Sequence, residues 1–179
     1  MTSSDVTGLP PDAKERLGRR VGRSETGSRE GGGLRLAFAC AEFNGGITDR
    51  LLTGALDALV ELGADPSAAV VAWAPGAFEL PLVADRLAHT GLVDAVVCFG
   101  AVIRGDTGHY DFVAGECAAG IQRVQLDTGI PVVFGVLTTD TVDQALARSG
   151  PDEMNKGREA AVTAIEMANL LRTFPVGGA

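Results

Sequence analysis

The sequence predicts an α/β fold: a three-layer sandwich in which helices cover both faces of one four-stranded parallel sheet. From Leu34 onward, short apolar runs alternate with longer segments of helical periodicity. The runs are apolar throughout, which is typical of strands that crossover helices bury on both faces of a parallel sheet. The segment order β-α-β-α-β-α-β-α-α then leaves few topologies, because crossovers between parallel strands are right-handed.

The predicted elements follow the chain in a regular order. The four predicted strands are LRLAFAC (34–40), AAVVAWA (68–74), DAVVCFGAVI (94–103) and PVVFGVLT (131–138). The five predicted helices lie within 47–63, 76–91, 109–129, 141–150 and 155–174. The last helix carries a broad apolar stripe, more than a sheet of this size needs for its own cover. We therefore expect copies of the chain to associate.

Residues 1–33 differ in composition from the rest of the chain. They hold seven glycines and the pair Pro10-Pro11 without a sustained apolar period, which predicts a flexible N-terminal tail. Residues 34–179 then form one domain, with nine Lys and Arg against eighteen Asp and Glu. Lys156 is the only lysine in that domain. Any anion that the domain binds therefore depends on few cations.

Composition excludes several classes of function. The net charge of −8 and the 5% of aromatic residues argue against nucleic-acid binding. No apolar segment reaches the ~20 residues of a membrane helix, so we expect no membrane partner. The three cysteines lie far apart without a Cys-x-x-Cys motif. We expect neither a disulfide framework nor a metal site, and we expect a cytoplasmic location.

Ligand chemistry is expected at one edge of the sheet. In open α/β sheets, ligands bind beyond the carboxyl ends of the strands, where loops lead into helix N-termini. The loops at that edge are 42–46, 75–79, 104–109 and 138–140. Phe43 follows the first strand in a turn, where its ring could stack on a flat ligand. Phe78 either lines a pocket or fills the core, and Glu79 either binds ligand hydroxyls or caps a helix.

His109 is one of only two histidines, and it stands at the predicted start of the third long helix. With Thr107 as the predicted N-cap, the positive end of the helix dipole lies beside the imidazole and disfavours its protonated form. A neutral imidazole is suited to general acid/base catalysis. The alternative is a half-exposed histidine that bonds its own turn. We expect His89, at a helix end, to be structural.

The same helix start offers a candidate anion site. Backbone N–H groups of residues 105–108, with two glycines for close approach, could bind an anion. Arg148 and Lys156 are the cations that could close on it. The alternatives are an ordinary glycine loop and two solvated surface charges. Neither G-x-x-x-x-G-K-[ST] nor G-x-G-x-x-G follows the first strand, so nucleoside triphosphates and dinucleotides are not expected.

Five segments together resemble a known enzyme family. They are FNGGITDRLLTGA (43–55), PGAFELP (75–81), GAVIRGDTGHYDFV (100–113), GIPVVFGVLTTDTVDQALARSG (129–150) and NKGREAAVTAIEMANL (155–170). Over about residues 34–174 the chain resembles the 6,7-dimethyl-8-ribityllumazine synthases, the penultimate enzymes of riboflavin biosynthesis. The resemblance implies a flavodoxin-like fold. It also implies condensation of 5-amino-6-(D-ribitylamino)uracil with 3,4-dihydroxy-2-butanone 4-phosphate, without a metal or organic cofactor.

The resemblance implies roles for residues on the pyrimidine side of the site. Phe43 would stack on the pyrimidine, and His109 would transfer protons. The ribityl chain and the ring would lie against three consecutive residues, Ala77, Phe78 and Glu79. The uracil edge would contact backbone groups of Ala101, Val102 and Ile103.

The resemblance also implies a phosphate subsite that two chains share. The phosphate would be held by backbone N–H groups at Asp106 and Thr107, with positive charge from Arg148 and Lys156. Phe134, Arg148 and Lys156 would come from the adjacent subunit. Family members assemble as homopentamers, sometimes as icosahedral shells of twelve pentamers, and the short connection from Arg148 to Lys156 favours the shell.

Two other functions stay open on the sequence. One is a non-catalytic flavin-binding or shell-forming protein on the same scaffold, which the intact site residues disfavour. The other is an unrelated flavodoxin-like signalling domain, which would need an acidic phosphoacceptor cluster that is missing after the first strand. One departure from the family is Gly115, where an asparagine is common; a mid-helix glycine costs about 1 kcal/mol relative to alanine.

Overall fold

The structure, a computed structural model, describes residues 9–174. Residues 1–8 of the predicted tail and residues 175–179 of the predicted domain lie outside the described residues. The elements are α1 (Ala13–Gly18), β1 (Leu36–Ala41), α2 (Gly45–Glu61), β2 (Val70–Ala74), α3 (Leu80–Ala88), β3 (Ala95–Ile103), α4 (His109–Thr128), β4 (Val132–Thr139), α5 (Val142–Arg148) and α6 (Lys156–Arg172). Short 3₁₀ turns precede β2 and α3.

The four strands form one parallel sheet in the order β2-β1-β3-β4. All three strand pairs are parallel: β1 with β2, β1 with β3, and β3 with β4. The predicted four-stranded parallel α/β sandwich is confirmed. Because all four strands are parallel, the loops that follow them meet at one edge of the sheet.

Two apolar cores lie on the two faces of the sheet. On one face Phe38 and Phe99 stack with their ring centroids 5.8 Å apart, beneath α2, α5 and α6. On the other face the small residues Ala37 and Ala39 of β1 pack against α3 and α4. All six residues of β1 are buried, as expected for a central strand covered on both sides.

β2 departs from the prediction of full burial. Of its five residues only Ala74 is buried, whereas the side chains of Val70, Val71 and Trp73 are exposed, Trp73 by 50%. β2 is an edge strand, so it pairs on one side only. An apolar run indicates that a strand is covered, but it does not say whether a helix of the same chain or another molecule covers it.

The segment before β1, predicted to be a flexible tail, has contacts with the domain in the part that the structure describes. Helix α1 lies within it, with Ala13 as its buried residue. The Arg29 guanidinium pairs with Glu166 at 2.6 Å, and the Asn169 amide donates to the carbonyl oxygen of Glu30 at 2.9 Å. These contacts hold residues 28–30 against α6.

Helices α2 and α6 approach closely because a glycine faces the α2 backbone. A Cβ atom added at Gly157 would lie 1.9 Å from the carbonyl oxygen of Leu51, a distance that no folded packing tolerates. Across the sheet, α4 continues through Gly115 without a break, and nothing lies within 4 Å of a Cβ placed there. Gly157 is therefore required for the close approach of α2 and α6, whereas no packing contact requires a glycine at position 115.

We expect Gly157→Ala to lower the free energy of unfolding by about 3 kcal/mol, because the helices must separate to admit the methyl group. Gly115→Ala is the matched control and should raise that free energy by about 0.5–1 kcal/mol, since alanine has the higher helix propensity. Urea unfolding at one protein concentration measures both. Equal stability of the two variants would contradict the close helix contact.

Burial also sets the chemistry of the three cysteines. Cys40, Cys98 and Cys117 are free thiols in the two cores. Burial raises the pKa of Cys40 and of Cys117 to about 12, and it raises the pKa of Cys98 as well. The thiolate is the reactive form, so these groups are poor nucleophiles at neutral pH.

We expect an aromatic disulfide reagent at pH 8 to label none of the three cysteines within minutes, because each thiol is protonated and covered. After unfolding in guanidinium the same reagent should label all three, which serves as the control. Rapid labelling of a thiol in the folded protein would show that one of the cores opens.

Candidate active site

One cavity of about 770 Å³ lies at the carboxyl edge of the sheet. The loops after β1, β2 and β3 and the first turn of α4 line it. Its walls include the predicted residues Phe43, Ala77, Phe78, Glu79, Ala101, Val102, Ile103, Thr107 and His109. Asp106 is exposed and is not part of this lining. The structure thus brings together residues from three separate loops, as expected for a parallel sheet.

The loop after β1 is held by the loop after β2. The backbone N–H of Phe43 donates to the carbonyl oxygen of Pro75 at 3.1 Å. Asn44 adopts a left-handed conformation, with φ 59°, and its amide donates to the carbonyl oxygen of Ala101 at 2.8 Å. Asparagine is one of the few residues that accept this conformation readily. The turn leaves the Phe43 side chain 72% exposed.

The loop after β2 presents a second aromatic ring. Residues Ala77–Glu79 form a 3₁₀ turn that leads into α3, and Pro81 stands in the first turn of that helix. Ala77 is buried against the core, whereas Phe78 is 56% exposed. Of the two interpretations of Phe78, the structure supports the pocket wall and not the core filler. Glu79 is likewise exposed at the cavity.

One of the two strand partners of β3, β1, ends before β3 does, which opens the last residues of β3 to the cavity. The ladder between β1 and β3 ends at the pair Cys40 and Phe99. β3 continues to Ile103 with β4 as its only strand partner in the described sheet. Backbone groups on the open side of this extension can therefore bond a ligand edge, and one of them, the Ala101 carbonyl, already accepts the Asn44 amide.

His109 begins α4, as predicted, and its side chain is exposed at the cavity. The predicted N-cap, Thr107, is wrong by one residue: Gly108 occupies that position and makes no side-chain cap. The Thr107 hydroxyl instead accepts from the His109 backbone N–H at 3.4 Å. The twenty-residue helix still directs its positive end toward the 105–108 loop and the imidazole.

Arg104 is a cation beside the candidate anion loop, but two carboxylates already pair with it. Its guanidinium lies 3.0 Å from Asp140 and 3.3 Å from Asp111, and it stacks 4.0 Å from the ring centroid of Tyr110. The hydrogen bond to Asp140 and the charge of Asp111 raise the pKa of Arg104 above its usual value. This arginine ties the end of β4 to the start of α4.

A second cavity, of about 420 Å³, lies beside β4, α5 and α6. Phe134, Arg148 and Lys156 line it, and so does Glu159, whose carboxylate pairs with Lys156. The Arg148 guanidinium donates to the carbonyl oxygen of Gln144 at 3.1 Å, within its own helix. The sequence analysis did not single out Glu159; its spacing of three residues from Lys156 on one helix could have indicated the pair.

Within residues 9–174 the two cavities share no lining residue. His109 and the exposed aromatic rings line one, and Arg148 and Lys156 line the other. A third, larger groove of about 840 Å³ lies beside α2. Its five carboxylates (Asp49, Asp57, Glu61, Asp152 and Glu153) outnumber its two arginines, Arg50 and Arg158, so the groove disfavours an anionic ligand.

Across residues 9–174, no cluster of three or more His, Cys, Asp or Glu side chains is arranged to hold a metal ion. In the same part of the chain, none of the helices combines the length and the hydrophobicity needed to cross a membrane.

The fold and the two cavities agree with a comparison to protein families. A sequence model described as 6,7-dimethyl-8-ribityllumazine synthase matches residues 33–172. The match begins just before β1 and ends with α6, so it covers the whole sheet, both helix layers and every residue of the two cavities. It excludes an unrelated flavodoxin-like signalling domain. The chain belongs to the 6,7-dimethyl-8-ribityllumazine synthase family.

Proposed function

We propose that the chain condenses 5-amino-6-(D-ribitylamino)uracil with 3,4-dihydroxy-2-butanone 4-phosphate to give 6,7-dimethyl-8-ribityllumazine, phosphate and water. Family membership makes it a lumazine synthase, a transferase of riboflavin biosynthesis; the two substrates and the residue roles are our proposal. The observation that carries the proposal is the division of the candidate residues. Aromatic rings and an imidazole line one cavity, and the cations line another.

The larger cavity suits the uracil substrate. The exposed Phe43 ring offers an apolar face for the pyrimidine, and Phe78 with Ala77 and Glu79 offers a mixed wall for the ribityl chain. The open side of β3 offers backbone groups of Ala101 and Ile103 to the uracil edge, because alternate residues of a strand face the same side. The backbone groups of Val102 face β4, and Val102 lines the cavity. The Asn44 amide bond at Ala101 supports this assignment, because it fixes the loop that carries Phe43 against the same strand.

The phosphate of the second substrate is assigned to the 105–108 loop. Its backbone N–H groups stand at the positive end of α4, which favours an anion. Asp106 contributes its backbone in this proposal, since its carboxylate would repel phosphate. Arg104 cannot supply free charge, because Asp140 and Asp111 hold it. The additional charge is assigned to Arg148 and Lys156 of a neighbouring chain.

A ring of chains would join the two cavities. Exposed apolar side chains lie on both edge strands, with Trp73 on β2 and Phe134 on β4, and Phe112 stands exposed beside His109. A head-to-tail contact that repeats by rotation closes into a ring, so that every cavity meets the second cavity of its neighbour. We propose a homopentamer, with icosahedral shells of pentamers as the larger form.

We expect the mass of the protein in solution to equal five chains of 18.4 kDa, or a multiple of that mass. A stable monomer would contradict the ring.

Each chemical step needs proton transfer near the phosphate. The uracil amine and the ketone form an imine with loss of water, phosphate is then eliminated, and ring closure and dehydration complete the second ring. His109, exposed beside the 105–108 loop, is assigned the proton transfers in these steps. The cavity supplies orientation of the two substrates, which accounts for a large share of such rate enhancements.

We expect His109→Ala to lower kcat by ~10²–10⁴-fold without abolishing turnover, because general acid/base catalysis is lost while substrate orientation remains. His89→Ala is the matched control: His89 is exposed at the end of α3, and its ring bonds the Asp85 carbonyl, away from the cavity. Product absorbance in the presence of both substrates measures each rate. No acceleration by the wild-type protein at saturating substrate would reject the proposed reaction, and tight riboflavin binding without turnover would support a non-catalytic container instead.

We expect Arg148→Ala to raise KM for the phosphorylated ketone ~10- to 100-fold, because a charged hydrogen bond to phosphate is lost. KM for the uracil substrate should change less than twofold. Arg172→Ala removes an arginine at the opposite end of α6, where it pairs with Asp94, and should leave both constants unchanged. An unaltered KM for the ketone in the Arg148 variant would overturn the phosphate assignment.

A further inference from the structure

Asn155 has a side chain whose every hydrogen-bonding group is satisfied within the protein. The residue is 4% exposed and stands at the N-cap position of α6. Its amide oxygen accepts from the backbone N–H of Gly157 at 2.8 Å and of Arg158 at 3.2 Å. Its amide nitrogen donates to the carbonyl oxygens of Arg50 at 3.1 Å and of Gly150 at 2.8 Å.

These four bonds join three separate parts of the chain. Gly157 and Arg158 are in the first turn of α6, Arg50 is in α2, and Gly150 lies two residues after the end of α5. The amide fits against α2 because the facing residue is Gly54: an added Cβ there would lie 2.6 Å from the Asn155 amide carbon. The helix approach at Gly54 and the amide contact therefore depend on each other.

Capping explains only half of this arrangement. Serine, aspartate and asparagine cap helix N-termini about equally well, since each supplies an oxygen to the first free N–H groups. The two donated bonds have no part in capping. They require an N–H donor, which among these three residues only asparagine has at that reach. The amide nitrogen therefore makes contacts that helix capping does not require.

The donated bonds control the connection that carries the cations. Arg148 ends α5, Lys156 begins α6, and residues 149–155 join them. The bond to Gly150 ties the start of this connection to its end, and the bond to Arg50 anchors both to α2. Arg148 and Lys156 line the same cavity, whereas Asn155 is absent from its lining and so does not touch a ligand there.

We infer that Asn155 is a positioning residue: its amide nitrogen holds the 149–155 connection so that Arg148 and Lys156 face one phosphate group together. This inference rests on the proposed function, in which those two side chains bind the phosphate of the ketone substrate. It predicts that phosphate affinity depends on a buried amide outside the phosphate cavity. A purely structural amide would affect stability and leave phosphate binding unchanged.

Two variants separate positioning from charge and from packing. Asn155→Ser keeps a capping oxygen and adds no charge, whereas Asn155→Asp keeps the shape and both accepted bonds but cannot donate. In both variants we expect KM for the phosphorylated ketone to rise about tenfold, because the two cations are no longer held in position. We expect kcat and KM for the uracil substrate to stay within twofold of wild type. An increase in the Asp variant alone would be an effect of charge and would overturn the inference.

A matched control removes a comparable side-chain cap at the opposite edge of the sheet. Asp65 accepts from the backbone N–H of Ser67 at 2.9 Å, at the start of the 3₁₀ turn before β2. Asp65→Ala should lower stability without changing any kinetic constant. Circular dichroism and solution mass are measured for every variant, so that kinetic constants are compared between folded proteins of the same assembly state.

Binding of inorganic phosphate distinguishes failure of this inference from failure of the proposed function. Titration of the assembled protein with inorganic phosphate, followed by phosphorus NMR, measures the dissociation constant of phosphate without turnover. We expect that constant to rise about tenfold in both Asn155 variants. If the wild-type protein does not turn over the substrates, the proposed reaction fails, and the phosphate titration still decides the positioning role. Equal phosphate affinity in wild type and the Ser variant would overturn it.

Discussion

Parallel hydrogen bonding of the four strands is the constraint on which the candidate site depends. Because the strands run in one direction, the loops after β1, β2 and β3 lie side by side at one edge, although Phe43 and His109 are far apart in sequence. The different lengths of the ladders matter as well. β3 extends four residues beyond its last pairing with β1, and this extension forms the floor of the cavity. A sheet of equal strands would have left less backbone open to a ligand.

Candidate site residues lie in two separate cavities: Arg148 and Lys156 line one, and His109 lines the other. The domain carries a large excess of carboxylates, and the arginine closest in sequence to the anion loop, Arg104, is neutralised by Asp140 and Asp111. Arg148 and Lys156 lie in a cavity that shares no residue with the His109 cavity in the described part of the chain. In the proposed ring of chains, the exposed apolar edges of the sheet would form the contacts, and Arg148 and Lys156 would reach the 105–108 loop of the neighbouring chain.

Sequence patterns predicted the sheet well because burial of parallel strands leaves an uninterrupted apolar run. All of β1 is buried, and so is β3 except for its last residue, Ile103. The patterns could not predict that β2 is exposed, since an apolar run does not distinguish an edge strand from a central one. Helix α1 escaped prediction because six residues with one buried alanine carry no apolar period. The 105–108 loop stays a predicted anion site, and its neighbour Arg104 could not be recognised as paired, because the pairing depends on Asp140, 36 residues away. The same reason hid the bonds of Asn155 to Arg50, which only the packing of α2 against α6 creates.

The central claim, that one site takes His109 from one chain and Arg148 from its neighbour, is tested most directly by mixing subunits. Equal amounts of His109→Ala and Arg148→Ala chains would be unfolded, refolded together and assayed at low concentration of the phosphorylated ketone. If neighbouring chains share the site, about one quarter of the sites in the mixed rings hold both wild-type residues, and kcat/KM rises to about a quarter of the wild-type value. If each site lies within one chain, kcat/KM stays at the mean of the two parent variants, and the account is wrong.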